Sequence, residues 1–259
     1  MTAQTTSILS VDKLSIGYSS ATIAENISFS LGEGMLCGIV GINGIGKSTL
    51  LRTLGGLQPT LSGKIEILRN ELERLSYVQL AQKRSMVLTE QSTSKNLTVQ
   101  ELIGLGRQPH TNWLGRFTKK DKNRIEESIT TFLLDKLRHR KCHELSDGQF
   151  QRVLIARAMA QDTPLILLDE PTTHLDLHHK VQILKLLQQL AHDQQKTIVF
   201  TTHEVDLAIQ LCDRILILNG RQNPFGEPCQ LIDEKHFENL FPSEMVQFDA
   251  KTGTYKVKK

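Results

Sequence analysis

The stretch Gly41-Ile-Asn-Gly-Ile-Gly-Lys-Ser48 follows a continuous apolar run at residues 35–40 and precedes a helical pattern at residues 48–54. It fits GxxxxGK[ST], the pattern of a phosphate-binding loop between a buried strand and a helix. Gly41, Gly44 and Gly46 allow backbone N–H groups to turn inward around phosphate oxygens, and the N-terminus of the helix adds a partial positive charge. The stretch therefore predicts a nucleotide-binding site at the end of a buried strand.

Four side chains of this loop and helix are candidate ligands of the nucleotide. We expect Lys47 to reach the terminal phosphates and Ser48 to ligate Mg²⁺, the roles that the pattern gives to these residue types. Thr49 would bind phosphate beside Ser48, and Asn43 belongs to the same predicted site.

A second apolar run, Leu165-Ile-Leu-Leu-Asp-Glu-Pro171, ends in two carboxylates. In a phosphate-loop enzyme Asp169 would support Mg²⁺, and Glu170 would polarise the attacking water as a general base. The next strand pattern, residues 197–201, leads to His203. We expect His203 to reach the γ-phosphate and to help hold Glu170 and the water in line. These residues predict hydrolysis of a nucleoside triphosphate.

Composition limits the partners and the location that we expect. The chain has 259 residues and a net charge of +3, which is too small to suggest a nucleic-acid partner. Its four cysteines include no CxxC pair, which favours thiols of a reducing compartment over a disulfide or zinc framework. The N-terminus lacks the features of a signal peptide, and no eighteen apolar residues run together. We therefore expect a cytosolic chain that does not cross a membrane by itself.

The order of strand and helix patterns predicts an α/β fold, with a P-loop NTPase core and a mostly parallel sheet. Strand patterns at residues 8–14 and 27–31, with Tyr18 in the turn between them, predict an N-terminal antiparallel β subdomain. We expect a single domain over residues 1–259, with residues 1–91 and 163–259 as the core and residues 92–162 as an inserted α-helical subdomain. The other predicted elements are strands at residues 64–68, 85–88, 165–168, 197–201 and 214–218, helices at 99–105, 122–134, 149–160, 178–192 and 204–211, and a C-terminal hairpin at 246–248 and 255–257.

The stretch Leu145-Ser-Asp-Gly-Gln149 opens the last helix of that insert. Ser146 and Gln149 have the spacing of a capping box, and Gly148 lets another group approach closely. Asp147, in contrast, places a carboxylate in the first turn of the helix. A carboxylate there is favourable to the helix dipole, but it would repel a phosphate if it pointed at one.

Together these motifs resemble the ATP-binding-cassette (ABC) ATPases over nearly the whole chain. The markers of that family occur here in its order: Tyr18, the phosphate loop, Gln91, the signature sequence at residues 145–149, the acidic strand end at residues 165–170, His174-Leu-Asp176 and His203. The resemblance implies an ATPase with ATP and Mg²⁺ as its cofactors. It implies further that Tyr18 stacks on adenine, and that Gln91 ligates Mg²⁺ and senses the helical subdomain.

In this family two cassettes face each other head to tail, so the resemblance implies a dimer of two identical chains. Ser146, Gly148 and Gln149 would then contact the ATP that the partner chain holds, and Asp176 would communicate across the dimer. The family usually has glycine where this chain has Asp147. We expect Asp147 to turn away from the γ-phosphate, toward solvent or a basic neighbour such as Arg152.

The helical insert carries the stretch Gly106-Arg-Gln-Pro-His110, followed by Asp121. Both, together with Pro171-Thr-Thr-His-Leu-Asp176, are similar to the ATPases of importers for metal chelates: iron-siderophore, haem and cobalamin. The resemblance implies an integral-membrane permease as a partner, an extracytoplasmic substrate-binding protein as an indirect one, and a place at the cytoplasmic face of the inner membrane. A zinc or manganese importer and a soluble, non-transport ABC ATPase are the alternatives.

The sequence also argues against ribosome-acting and DNA-repair members of this family and against GTPases. Ribosome-acting members of the family usually carry two cassettes in one chain, and DNA-repair members carry a long coiled coil between phosphate loop and signature; this chain has neither. Thr118-Lys-Lys-Asp121 fits the [NT]KxD pattern of GTPases, but no DxxG lies between Gly41 and it. We therefore interpret Thr118–Asp121 as the polar cap of a helix.

Overall fold

The computed structural model describes residues 7–19, 21–89, 95–241 and 246–258, and these form three sheets with helices around them. In chain order the strands are β1 (Ser7–Tyr18), β2 (Ala21–Gly32), β3 (Leu36–Val40), β4 (Ser62–Ile67), β5 (Asn70–Glu71), β6 (Arg84–Val87), β7 (Leu165–Leu168), β8 (Thr197–Thr201), β9 (Arg214–Ile217), β10 (Phe225–Gly226), β11 (Val246–Asp249) and β12 (Thr254–Val257).

The α-helices alternate with these strands and are concentrated between β6 and β7. They are α1 (Lys47–Leu54), α2 (Tyr77–Lys83), α3 (Val99–Gly104), α4 (Lys119–Thr131), α5 (Asp147–Ala160), α6 (Leu177–Gln194), α7 (Val205–Leu211) and α8 (Pro228–Asp233), with 3₁₀ turns at Leu72–Arg74, Leu105–His110, Asp135–Leu137 and Cys142–Glu144. Within the described ranges, every helix is too short or too polar to cross a membrane.

The N-terminal strands form an antiparallel sheet in the order β2-β1-β4-β5. This confirms the antiparallel β subdomain that the sequence predicts. The position predicted for Tyr18 is wrong, because Tyr18 is the last residue of β1 and pairs with Ala21 rather than lying in the turn. The strand pattern in the sequence ended at residue 14, but pairing with β2 continues the strand through Gly17 and Tyr18.

The central sheet has the order β10-β9-β3-β8-β7-β6, and all neighbouring pairs except β10 with β9 are parallel. Its strands β3, β7 and β8 are buried along their whole length, as expected for a parallel sheet that is covered on both faces. One face packs on α1 and the N-terminal sheet, and the other packs on α5, α6 and α7. The carboxyl ends of β3, β7 and β8 meet at one edge, which brings the loops that follow them together. The predicted α/β fold is confirmed.

Helices α3, α4 and α5 form the helical part of the chain, and residues 95–162 contain no strand. Thr98, Thr118 and Ser146 each cap one of these helices through a capping box. At the second of these caps, the Thr118 N–H and hydroxyl donate to Asp121 Oδ2 at 2.8 and 2.6 Å. The stretch that matches the GTPase pattern is therefore the start of α4, as interpreted from the sequence.

The C-terminal hairpin of β11 and β12 is also present, close to its predicted bounds. Its Phe248 ring stacks on Phe237 and packs edge-on with Tyr255, and the Tyr255 hydroxyl donates to the Phe237 carbonyl at 2.7 Å. The sequence analysis did not predict the short elements α2, α8, β5 and β10. Each has seven residues or fewer.

Candidate nucleotide-binding and hydrolysis site

The phosphate loop joins the end of β3 to the start of α1 and depends on its glycines. Gly44 and Gly46 have φ values of 78° and 105°, in the region that favours glycine. A Cβ on Gly46 would lie 2.5 Å from Ile23 Cγ2, and one on Gly41 would lie 2.6 Å from the Leu218 carbonyl oxygen. Around a Cβ on Gly44 no described atom lies within 4 Å, so this part of the loop faces open space.

That open space is a pocket of about 370 Å³ where the loops after β3, β7 and β8 meet. It is lined by Asn43, Gly44, Gly46, Lys47, Ser48, Thr49, Glu170 and His203. Eight residues that the sequence predicts to act on the nucleotide are therefore brought together at one place.

Lys47 is the first residue of α1, and its side chain folds back over the loop. Its ammonium donates to the Gly41 carbonyl at 2.8 Å and to the Ile42 carbonyl at 3.2 Å, and it lies 3.3 Å from His203 Nδ1. Burial lowers the pKa of Lys47, and the charges of Glu170 and Asp169 partly oppose that shift. Two carbonyl oxygens thus hold a buried cation at the pocket, near the charges of two carboxylates. A bound polyphosphate would replace the carbonyl oxygens as partners of this cation.

Asp169, at the carboxyl end of β7, is nearly inaccessible to solvent. Its Oδ1 accepts hydrogen bonds from the Ser48 hydroxyl at 2.9 Å and from the Thr201 hydroxyl at 2.8 Å. The Ser48 bond joins the phosphate loop to β7, and the Thr201 bond joins β7 to β8. A carboxylate and a hydroxyl therefore lie side by side at the edge of the pocket, as oxygen ligands that Mg²⁺ prefers.

Glu170 is held by contacts on both its backbone and its side chain. Its φ is 47°, which is uncommon for a residue with a side chain, and its N–H donates to the Thr201 hydroxyl at 2.9 Å. Its Oε2 accepts from the Thr173 hydroxyl at 2.9 Å, and its Oε1 lies 2.5 Å from His203 Nε2. Because the Lys47 ammonium can only donate, His203 Nδ1 accepts its hydrogen bond, and the Nε2–H group of His203 donates a hydrogen bond to Glu170 Oε1. Lys47, His203 and Glu170 thus form a continuous hydrogen-bonded chain.

Thr201 and Thr173 were missed by the sequence analysis, although both position Glu170. The polar end of the strand pattern before His203 was a visible signal for Thr201, since a hydroxyl at the end of a buried parallel strand faces the site. For Thr173 the sequence offered no signal beyond its place three residues after Glu170.

Tyr18 lies close to the phosphate loop, with its hydroxyl 3.5 Å from Thr49 Oγ1. Its side chain is 53% exposed, which leaves the ring accessible to a ligand. Gln91, the other residue assigned from the resemblance, lies outside the described residues.

The signature residues lie apart from this pocket within the chain. Ser146 caps α5 by accepting from the Gln149 N–H at 3.3 Å, and the Ser146 N–H donates to Gln149 Oε1 at 3.2 Å. Gly148 lines a separate cavity of about 390 Å³. Asp147 is exposed, and no ion pair joins it to Arg152 in the described part of the chain. One chain by itself therefore leaves the signature residues without contact to its own phosphate loop.

Asp176 caps α6 and likewise lies outside the phosphate-loop pocket. Its Oδ1 accepts from the His179 N–H at 2.9 Å, and the His179 ring Nδ1 lies 2.9 Å from both carboxylate oxygens. These hydrogen bonds lower the pKa of Asp176. The residue is exposed, next to the helix that carries the signature.

Comparison with known proteins agrees with this geometry. The family model described as ABC transporter matches residues 24–173, a range that includes the phosphate loop, the signature and the acidic strand end. This chain belongs to the ABC transporter family. ATP-binding proteins of that family are ATPases coupled to transport, so the predicted family and the predicted ATPase activity are confirmed.

Two curated relatives carry specific names. The achromobactin transport ATP-binding protein CbrD of Dickeya dadantii is 34% identical over 88% of this chain and 86% of its own length. The petrobactin import ATP-binding protein FpuD of Bacillus anthracis is 33% identical over 95% of this chain and 91% of its own length.

Solved structures show the same fold. A chain from a transporter described as metal-chelate type, in an inward-facing conformation, superposes with a TM-score of 0.79 at 33% identity, covering 91% of this chain and 89% of its own. The ATP-binding cassette MJ0796, a dimer in a post-hydrolysis state bound to ADP and Pi, superposes with a TM-score of 0.73 at 27% identity, covering 85% and 98%.

Proposed function

We propose that this ATPase powers the import of a metal chelate of the iron-siderophore, haem or cobalamin type. Two kinds of support favour this cargo over zinc or manganese ions. The relatives CbrD and FpuD are named for achromobactin transport and petrobactin import, and one superposed chain comes from a transporter described as metal-chelate type. The stretch Gly106-Arg-Gln-Pro-His110 is similar to that of metal-chelate importers. It is also structurally fixed in this fold, because Arg107 is buried and forms an ion pair with Asp121.

The hydrolytic mechanism rests on one observation, the series of hydrogen bonds that joins Lys47 to His203 and His203 to Glu170. In this proposal Lys47 binds the terminal phosphates, and Glu170 accepts a proton from the attacking water as the general base. His203, which donates to Glu170 in the structure, fixes that carboxylate and turns toward the γ-phosphate. Tyr18 would stack on the adenine, which its exposed ring allows.

Mg²⁺ would be held by Ser48 and Asp169, with Gln91 as the further ligand that the family resemblance implies. The described residues contain no group of three or more His, Cys, Asp or Glu side chains that could form a metal site made of protein alone. This fits Mg²⁺, which is usually bound by one or two protein oxygens together with phosphates and water. The ion would neutralise charge on the β- and γ-phosphates.

The active unit would be a head-to-tail dimer of identical chains, each a single domain with residues 92–162 as its helical subdomain. Ser146, Gly148 and Gln149 would contact the ATP bound at the partner's phosphate loop, and Asp176 would lie between the two sites. Support comes from the separation of the signature from the phosphate-loop pocket within one chain. It comes also from the dimeric cassette MJ0796.

The permease would contact an apolar surface formed by α2 and the loops after α3. This surface, the apolar face, consists of Tyr77, Val78, Leu105, Trp113, Leu114 and Phe117, all of which are exposed. Its two parts adjoin, since the Gln82 amide donates to the Pro109 carbonyl at 3.5 Å. Large exposed apolar patches mark protein interaction sites. The chain would then lie at the cytoplasmic face of the inner membrane, and a substrate-binding protein would act from the other side.

Replacing the proposed base tests the mechanism. Glu170→Gln should lower kcat for ATP by about 10²- to 10⁴-fold, the usual contribution of a general base, while ATP still binds and a closed dimer accumulates in gel filtration. Glu227→Gln is the matched control, because Glu227 pairs with Arg214 on the surface; its kcat should stay at the wild-type value. Wild-type turnover in Glu170→Gln would remove Glu170 from this role.

The cargo is tested by uptake in cells that lack the chain. Uptake of ⁵⁵Fe supplied as a ferric siderophore, of haem and of cobalamin should be measured beside ⁶⁵Zn²⁺ and ⁵⁴Mn²⁺, with the chain restored as wild type or as Glu170→Gln. We expect the wild-type chain alone to restore uptake of a chelate. Restored uptake of the free ions only would favour the zinc or manganese alternative. No restored uptake, with no permease co-purifying, would favour a soluble ATPase.

A further inference from the structure

The end of the signature helix α5 is held by a buried ion pair that the proposed mechanism does not use. Arg107 and Asp121 are each 2% exposed, and Arg107 Nε lies 2.9 Å from Asp121 Oδ1. Arg107 Nη1 also donates to the carbonyl of Ala160, the last residue of α5, at 2.7 Å and to that of Gln161 at 3.2 Å. These carbonyls belong to the set that an α-helix leaves without internal partners at its C-terminus.

The same end of α5 has contacts on several sides. His110 Nε2 donates to the Gln161 carbonyl at 2.8 Å, and the Gln161 amide donates to the carbonyls of Ala81 and Arg84 at 2.6 and 3.0 Å. At Gly106 a Cβ would lie 2.2 Å from the Arg157 carbonyl oxygen, so the 3₁₀ turn presses directly on the last turn of α5. The stretch at residues 106–110 and Asp121 thus form one clamp on the C-terminus of α5.

Both members of the ion pair are satisfied within this clamp. Arg107 donates to a carboxylate and to two carbonyls, while Asp121 accepts on Oδ2 from the Thr118 N–H and hydroxyl. Burial raises the pKa of Asp121, but the hydrogen bonds from Thr118 and Arg107 outweigh it, so the net shift is downward. A buried pair of this kind adds little stability over well-packed apolar residues, although its fixed geometry can define one arrangement. Because the Arg107–Asp121 pair lies at the C-terminus of α5, its fixed geometry can set the orientation of that helix.

The orientation of α5 matters because Ser146 and Gly148 lie at its other end. The helix has 14 residues, which makes it about 21 Å long at 1.5 Å per residue. A tilt of roughly 3° about the clamped end would move the signature by about 1 Å, a displacement that can cost on the order of 10²-fold in rate when a catalytic arrangement is involved.

We propose that Arg107 and Asp121 are positioning residues for ATP hydrolysis, which orient α5 so that Ser146 and Gly148 reach the ATP of the partner chain. The inference rests on the proposed head-to-tail dimer. The pair acts on the step that needs both chains, and it leaves ATP binding to the phosphate loop of a single chain unchanged.

The decisive variant is the apolar pair Arg107→Met/Asp121→Leu, because it leaves no unpaired buried charge. We expect its kcat to fall at least tenfold, while its thermal unfolding midpoint stays within a few degrees of the wild type and its affinity for a fluorescent ATP analogue at low protein concentration is unchanged. Arg107→Lys, which keeps a cation that can reach a carbonyl, should recover part of the lost kcat. Arg138→Met is the matched control, since Arg138 pairs with Glu126 at the surface of the same helical region; its kcat should not change.

Adding Glu170→Gln separates the two proposals. The single variant Glu170→Gln should form an ATP-dependent dimer, and the triple variant Arg107→Met/Asp121→Leu/Glu170→Gln should need at least tenfold more protein to dimerise. Equal dimerisation of the two, or a wild-type kcat in Arg107→Met/Asp121→Leu, would overturn the positioning role while the dimer stands. A monomeric Glu170→Gln would overturn the proposed dimer and this inference with it. If the apolar pair does not fold, Arg107→Lys decides. An ammonium lacks the planar fork with which Arg107 joins Asp121 to the two carbonyls, so the kcat of Arg107→Lys should lie below the wild-type value, and a wild-type kcat rejects the positioning role.

Discussion

Thr201 offers the sharpest test of how the site is held together. Its hydroxyl donates to Asp169 Oδ1 at 2.8 Å and accepts from the Glu170 N–H at 2.9 Å, and the residue is fully buried. Thr201→Val keeps the shape of the side chain and removes both hydrogen bonds. It leaves a carboxylate and an N–H that are buried without these partners.

The expected loss follows from the two bonds. A hydrogen bond to a charged group contributes about 1.5–3 kcal/mol and a neutral one about 0.5–1.5 kcal/mol, so Thr201→Val should lower the free energy of unfolding by about 3 kcal/mol. For a chain of this size that is a fall in melting temperature of about 6–12 °C. Activity should fall as well, because the Thr201 hydroxyl holds Glu170 at its φ of 47°, and such a conformation persists only where its surroundings fix it.

Thr197→Val is the control for this experiment. Thr197 lies on the same strand and is equally buried, but its hydroxyl donates only to the Gly32 carbonyl, at 2.8 Å, at the end of β8 away from the site. We expect it to cost about 1 kcal/mol and to leave kcat unchanged. Differential scanning calorimetry and steady-state ATP hydrolysis measure both effects. If Thr201→Val loses no more stability than Thr197→Val and keeps its kcat, the reasoning on Thr201 is wrong.

Two further predictions concern the loop and the buried carboxylate. Gly46→Ala should weaken binding of a fluorescent ATP analogue by at least tenfold, because its Cβ would lie 2.5 Å from Ile23 at a φ of 105°. Gly44→Ala is the control and should weaken binding less, because its Cβ would meet no described atom within 4 Å. If Gly44→Ala weakens binding more than Gly46→Ala, the steric argument is contradicted. The pKa of Asp121 is lowered from its ordinary value of 3.8, so its contribution to stability is present above pH 3.8 and is lost as pH falls through the lower, folded value. Acid titration followed by circular dichroism should therefore show unfolding at low pH that is weaker in Arg107→Met/Asp121→Leu than in the wild type.

The sequence predicted the central sheet well because its strands are continuous apolar runs. Buried parallel strands such as Leu165–Leu168 require apolar residues on both faces. The predicted bounds of β7 and β8 are confirmed, and those of β3, β6 and β9 differ from the observed bounds by one residue. The end of β1 was predicted less well, since Gly17 and Tyr18 look like a turn and only pairing with β2 makes them part of a strand. Long-range pairing of this kind leaves no local pattern.

The residues of the candidate site also fall into those that the sequence predicts and those that it does not. The loop Gly41–Ser48 is recognisable from the sequence, because a phosphate-binding loop needs glycines and a lysine at fixed spacing. Thr201 and Arg107 act through contacts with residues that are distant in the chain, such as Asp169 and Ala160. Their roles depend on which helices and strands the fold brings side by side. Local sequence patterns do not contain this information.

The exposed Trp113 on the apolar face has a practical consequence. It is the single tryptophan of the chain, and its side chain is 91% exposed. Its emission therefore reports the polarity at one known position of the surface, and Trp113 is not among the residues that line the phosphate-loop pocket. Binding of a membrane partner there would shift the emission to shorter wavelength, so the natural protein carries its own label for watching assembly in real time.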